Sequence, residues 1–241
     1  MLSRLSCFVQ LKKNLFSDFP TTAMMNESPE FLASKYINLG VEYYENGQLE
    51  QATVAFANAL STTKRIVEYD DEECTRMDNP IGPFQPHFVT SKTAMPSTND
   101  LFLFLHPMKI QAEFPQAKLC KTLSFITMFN LAICNHRNAI LNNMNKSTLL
   151  IALQLYELAY AIQMKEGIDL TLTPTMIIMS NVGHIHKILG NDDNAQQCFQ
   201  HLLSTLMFLV EAGERDVVWE FEGFFENILK TIYSNYPAAA A

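Results

Sequence analysis

Charge is scarce in this chain and leans to one sign. Only 17% of its 241 residues are Asp, Glu, Lys or Arg, and 17 basic residues face 25 acidic ones, for a formal net charge of −8. Nucleic-acid binders carry a basic patch or stripe, so this balance argues against that class. No apolar run reaches the length of a membrane span; the best stretch, Leu202 to Val210, is short and lies within an amphipathic helical pattern. The cysteines are Cys7, Cys74, Cys120, Cys134 and Cys198, an odd number with no C-x-x-C pair. That suits a reducing compartment better than a disulfide framework. Also missing are the G-x-x-x-x-G-K-[ST] and G-x-G-x-x-G loops that cradle phosphates, the G-x-S-x-G nucleophile turn and the H-E-x-x-H metal helix. A catalytic cysteine would also need a placed base and an oxyanion donor, and nothing signals either. The chain is therefore expected not to be an enzyme and to need no cofactor.

One cluster of metal-ligand types exists: His184, His186, Cys198 and His201. His184 and His186 are two apart, so a helix turns them to different sides, and no metal site is expected. The acidic residues gather in two places, Asp70 to Glu73 and the series Glu211, Glu214, Asp216, Glu220, Glu222 and Glu226. Solvated faces account for both; the sharper reading is an acidic dock for a basic partner.

What is present is apolar and periodic. Hydrophobic residues make up 48% of the chain, enough for a sizeable core or a short solenoid. In the stretch Ala33 to Leu60, Tyr36, Leu39, Gly40 and Tyr43 recur at i, i+3, i+4 and i+7, one face of a helix. A break at Glu45-Asn46-Gly47 follows, and then Ala52, Phe56 and Ala59 mark one face of a second helix. Small residues at Gly40 and Ala52 let two antiparallel helices approach closely.

The register returns twice. Leu131 and Ala132, then Ala152, Tyr156 and Ala159, repeat it with a longer turn over Asn142 to Ser147. Val182 and Gly183, the loop Gly190, then Ala195 and Phe199, repeat it with the first spacing. A final helix near residues 214–233 puts Val218, Phe221, Phe225, Ile228 and Ile232 on one face, as a solenoid cap would. Between the first two hairpins, Pro80, Pro83, Pro86, Pro96, Pro107 and Pro115 exclude a long helix. The apolar pieces Phe84–Val89 and Leu101–Leu105 predict a β-hairpin or extended arm with a tip at Ser91–Asn99. Exposed, Leu101–Leu105 would be an aggregation hazard, so the arm is expected to pack on the solenoid or on a partner. Residues Met1 to Phe16 are acid-poor and contain Arg4, Lys12 and Lys13. They fit either a short packing helix or a mitochondrial or plastid import segment.

The order W-x2-L-G-x2-Y…A-x3-F, with Tyr36 in the tryptophan slot, resembles the tetratricopeptide (TPR) repeat. The long, unequal repeats look more like the kinesin light chain subtype. The strings CFQHLLSTLMFLV and FEGFFENI are similar to TPR-like proteins of unicellular algae, a likeness that carries no function. The resemblance implies an all-α α-α superhelix of about three hairpins, near residues 29–75, 118–165 and 174–212, within a helical domain 29–236. Residues 1–28 would form a separate N-terminal segment, 77–115 an insertion and 237–241 a tail. It also implies a non-enzymatic scaffold, cytoplasmic unless imported, that binds a protein or peptide in a groove lined by the first helix of each pair. Neither nucleic acid nor membrane is an expected partner.

Asn38, Asn130 and Asn181 each directly precede the L-G, L-A or V-G pair, a position the resemblance puts on the groove side. An amide offers a donor and an acceptor, so a series of them can hold the backbone of an extended ligand. Further groove positions implied by the family include Ser34, Ile37, Val41, Tyr44, His136, Arg137, Ser180, His184 and Lys187. Ile37 and Val41 stand where a chaperone-tail clamp needs Lys and Asn, so that ligand class is not expected. Two occupants remain open: a segment of another protein, docking by apolar anchors, or the arm itself, in its own groove or a neighbour's, with self-association as the consequence.

Overall fold

The computed structural model describes residues 28–69, 87–88, 103–110, 119–166, 172–212 and 222–235. Its helices are α1 (Pro29–Glu45), α2 (Leu49–Tyr69), α3 (Leu119–Leu141), α4 (Lys146–Glu166), α5 (Leu172–Ile188), α6 (Asp192–Glu211) and α7 (Glu222–Asn235). Two short strands, β1 (His87–Phe88) and β2 (Met108–Lys109), pair antiparallel. The architecture is an all-α, TPR-like helical repeat with a small β insertion.

Local chemistry sets the hairpins. Ser28 caps α1, its hydroxyl accepting from the Phe31 N–H at 3.3 Å, with Pro29 in the first turn. At the other end Gly47 takes φ +76°, its N–H reaches the Tyr44 carbonyl, and the Gln48 N–H reaches Tyr43. This paired 5→2 and 6→1 bonding is a Schellman stop. Gly190 repeats it at φ +75°, with its N–H on Lys187 and that of Asn191 on His186. The middle turn lacks a glycine; Asn143 and Met144 take φ 54° and 58° there. Asn145 then caps α4, its Oδ1 accepting from the backbone N–H groups of Ser147 and Thr148.

The helices of each hairpin pack on one another, α2 packs on α3, α4 on α5, and α7 on α6. Gly40 lies against the ring of Phe56, where an added Cβ would stand 2.5 Å from a ring carbon. Gly183 repeats this against Phe199 at 2.9 Å. Ala52, Phe56, Ala59, Leu131, Ala132, Ala152, Tyr156, Ala159, Val182, Ala195 and Phe199 are all buried.

Four expectations change. On α1 the fully buried stripe is Ala33, Ile37, Val41 and Tyr44, whereas Leu39 is 38% exposed and Tyr36 and Tyr43 are half-buried. The reason is what covers the helix: α1 packs on α3 and β2 as well as on α2. The strand that pairs with β1 is Met108–Lys109, past Pro107, not Leu101–Leu105. Helix α5 begins at Leu172, two residues ahead of Pro174, which is tolerated because first-turn N–H groups need no intrahelical partner. On α7, Phe224 is fully buried while Phe225 is only half-buried. The N-terminal segment, Cys7, Cys74, the Asp70–Glu73 run, the Ser91–Asn99 tip, Val218, Phe221 and the 237–241 tail lie outside the described residues.

Candidate functional site

The first helices of the hairpins, α1, α3 and α5, bring Asn38, Asn130 and Asn181 to one segment of the chain, residues 103–110. Asn130 Nδ2 donates to the Met108 carbonyl at 2.9 Å, and its Oδ1 accepts from the Met108 N–H at 2.8 Å. Asn38 does the same to Ile110, both bonds at 2.9 Å. In an extended chain the N–H and C=O of one residue point to the same edge, and residue i+2 repeats them. One primary amide therefore satisfies one residue completely, and the next amide meets the residue two further on. Lys109, between them, is the partner of His87 in β1, so the segment is used on both edges.

Further along, Tyr44 Oη donates to the Leu105 carbonyl at 2.7 Å. Asn181 Nδ2 donates to the Phe104 carbonyl at 2.8 Å and to Tyr156 Oη at 2.9 Å, and its buried Oδ1 has no partner. The segment runs against the order of the repeats, with Phe104 at α5, Met108 at α3 and Ile110 at α1. Its side chains are anchors: Met108 is fully buried, Leu105 and Ile110 nearly so, and Lys109 is exposed. Phe104 reaches past the hairpins to the Phe224 ring of α7, 6.4 Å between centroids.

Two buried groups stand behind the segment. Arg137 donates to the carbonyl of Tyr44 at 3.2 Å and lies over the Tyr44 ring at 4.6 Å. The cation thus meets a carbonyl in the last turn of α1, the negative end of that helix, and an aromatic face. Burial raises the Tyr44 hydroxyl well above its ordinary pKa, with Arg137 pulling the other way, so at neutral pH it remains a donor for Leu105. His136 Nε2 and His184 Nδ1 lie 3.1 Å apart, both side chains fully buried. Desolvation, and then the neighbouring His184, lower the His136 pKa well below the usual imidazole value. His136 is therefore neutral at neutral pH, and one proton lies in the hydrogen bond between the two rings.

The remaining residues expected on the groove fall elsewhere. Lys187 turns to the α5–α6 loop and pairs with Asp192 at 2.7 Å. Ser180 accepts from Asn227 of α7 at 3.0 Å. Cys134 donates to the Leu49 carbonyl, and burial pushes its thiol up to about 11, so it is uncharged at neutral pH. Among the described residues no group of three or more His, Cys, Asp or Glu side chains is placed to hold a metal ion.

The backbone acceptors on Phe104, Leu105, Met108 and Ile110 were not foreseen individually. One signal pointed to them: Met108-Lys109-Ile110 alternates apolar and charged, the period of a half-buried strand.

No helix among the described residues is long and apolar enough to cross a membrane. Comparison with curated proteins and with solved structures returned no match. The tetratricopeptide repeat family model matches residues 178–205, which span the second part of α5, the Gly190 turn and most of α6.

Proposed function

We propose that this chain is a non-enzymatic protein–protein interaction module whose concave groove takes an extended segment by its backbone. The observation that carries this is the pair of two-bond amide contacts, Asn38 to Ile110 and Asn130 to Met108. TPR repeats generally mediate protein interactions, and a backbone ladder would hold an extended partner with side-chain choice left to the anchor pockets. Helices of 21, 23 and 21 residues in α2, α3 and α4 support the likeness to long-repeat, kinesin-light-chain-type modules. Thiols at Cys134 and Cys198 outside any disulfide fit action in the cytoplasm.

Holding the segment in place sets opposing energies of similar size against each other. Ordering the eight residues 103–110 costs about 1–2 kcal/mol each, on the order of 8–16 kcal/mol. Burying Leu105, Met108 and Ile110 contributes about 1.5–3 kcal/mol each. The six hydrogen bonds to the segment add about 0.5–1.5 kcal/mol each, for a total of roughly 8–18 kcal/mol. The two sums are of the same order.

A second reading has its own support. The full burial of Met108 also fits a permanent structural strap, in this chain or exchanged with a second copy. Amide hydrogen exchange tests the asparagine grip that both readings need. Replacing Asn38, Asn130 and Asn181 with Ala is expected to accelerate exchange at the Met108 and Ile110 amides while far-UV helicity stays constant. Unchanged protection at both amides would show that the asparagines do not hold the segment and would sink the groove reading.

A further inference from the structure

The segment in the groove also describes what else fits there. We infer that the groove's ligand in trans is an extended protein segment of the pattern aliphatic-x-Pro-aliphatic-x-aliphatic, the pattern of Leu105-His106-Pro107-Met108-Lys109-Ile110. This rests on the reading of the groove as a peptide site.

Each position follows from a contact. Positions equivalent to Met108 and Ile110 must carry a free N–H, because Asn130 and Asn38 each accept one; proline is excluded at both. The same two positions need unbranched or branched aliphatic side chains, since Met108 is 0% and Ile110 5% exposed. The position of Lys109 is exposed and open to any residue that β1 can pair with. Proline is accepted at 107 because no side chain of the groove takes an N–H bond there, and it restricts the residue before it to extended geometry, which lowers the cost of ordering the ligand. Leu105 is 3% exposed, and its carbonyl is the one that Tyr44 Oη donates to.

The test uses the full chain and a labelled synthetic peptide, LFLHPMKI, the sequence of residues 103–110. Met108→Asp with Ile110→Asp in the chain releases the strap without touching any groove helix. Fluorescence anisotropy should show weak binding to the unaltered chain and binding at least about tenfold tighter to the released variant, because apparent affinity scales with the fraction of open groove. A peptide with Glu in place of the lysine should bind nearly as well; one with Asp in place of the methionine should not bind. A scrambled peptide that binds equally overturns the pattern but leaves the peptide-site reading standing. A released variant that keeps its helicity yet binds neither peptide overturns both. Dimers of the unaltered chain by sedimentation, dissociated by the peptide, would make the occupant a second copy and overturn the partner proposed. Should the released variant lose helicity, hydrogen exchange on the unaltered chain decides. Met108 and Ile110 amides that exchange only at the rate of the α3 core mean a permanent strap; exchange many-fold faster than α3 supports the proposal.

Discussion

Asn130 and Asn181 occupy the same place on their helices, each just before the small-residue pair, yet they do different work. Asn130 satisfies both backbone groups of one residue, Met108. Asn181 gives its NH₂ to two acceptors, Phe104 O and Tyr156 Oη, and leaves its own oxygen buried without a partner. The difference lies both in the helices, where Tyr156 Oη takes one Asn181 N–H, and in the segment. Stepping two residues per repeat from Ile110 to Met108 would bring His106 to α5. Pro107 intervenes with no N–H of its own, and the step skips His106. Asn181 meets the Phe104 carbonyl instead. A repeat register supplies identical tools at equal spacing; what each tool grips depends on its neighbours and on the occupant.

The largest effect should come from the well-satisfied end. Asn130→Ala leaves the Met108 N–H and carbonyl buried without partners, about 1–3 kcal/mol each. A loss of roughly 2–6 kcal/mol in urea unfolding is the upper range, because the segment can leave and rehydrate. Asn181→Ala should cost only about 1–2 kcal/mol, since it also removes an oxygen that has no partner. Equal costs, or the reverse order, would break the comparison.

The next effect asks whether helix packing sets the grip. Gly40→Ala places a Cβ 2.5 Å from a ring carbon of the fully buried Phe56. Overpacking of this kind costs about 1–3 kcal/mol, and the forced shift of α1 should speed exchange at the Ile110 amide, whose partner Asn38 sits two residues away. Gly183→Ala meets Phe199 at 2.9 Å, first at the tip of the ring, and should cost less. It should leave Met108 and Ile110 protection alone. Thermal melts and amide exchange on both variants check this. Loss of Met108 protection in Gly183→Ala would mean that the two ends are coupled.

These expectations draw on features that were unequally visible in the chain itself. The hairpins were legible because their determinants are local: Gly47 and Gly190 stop helices through their own φ, and Gly40 with Phe56 sits within one hairpin. The asparagine series was legible as a spacing. The arm was open as one of two occupants, but which of its residues would lie there was not legible, because the bonds from Asn38 to Ile110 join residues 72 positions apart and nothing local marks which segment of a proline-rich insertion will lie in a groove. Hydropathy pointed to Leu101–Leu105, the most apolar run, and Leu105 is buried, but the two-bond amide contacts fall on Met108 and Ile110, where the period is 2 and the N–H groups are intact. The burial of Tyr44 and Ile37 follows from the same missing piece, since without the segment and α3 their face would be open.

The smallest effect concerns the helices that separate the two grips. His136 on α3 and His184 on α5 share one proton at 3.1 Å, and His136 Nδ1 has no partner. If His136 Nε2 donates, the orphan is a lone pair; if His184 donates, it is an N–H, the costlier group to leave unpaired. The first tautomer is favoured. Burial holds the native His136 pKa well below 6.5, so at mildly acidic pH the unfolded chain binds a proton that the native chain refuses. Stability is then fully present above about pH 6.5 and falls as pH drops through the window beneath it, by at most about 1.4 kcal/mol per pH unit for one proton. The Tyr156 ring edge faces His136 at 6.1 Å and brings no charge that would offset this. His186 titrates in the same sense, its pKa lowered by partial burial, so total slope alone is not diagnostic. The informative quantity is the difference between the unaltered chain and His136→Phe in urea unfolding from pH 7.5 to 5.0. The variant should lose less stability on acidification, and the Asn181 end of the segment, joined to α5, should loosen before the Asn38 end. Identical slopes would place the pair outside the α3–α5 coupling and leave Tyr156 and the course of the segment to explain why the two asparagines differ.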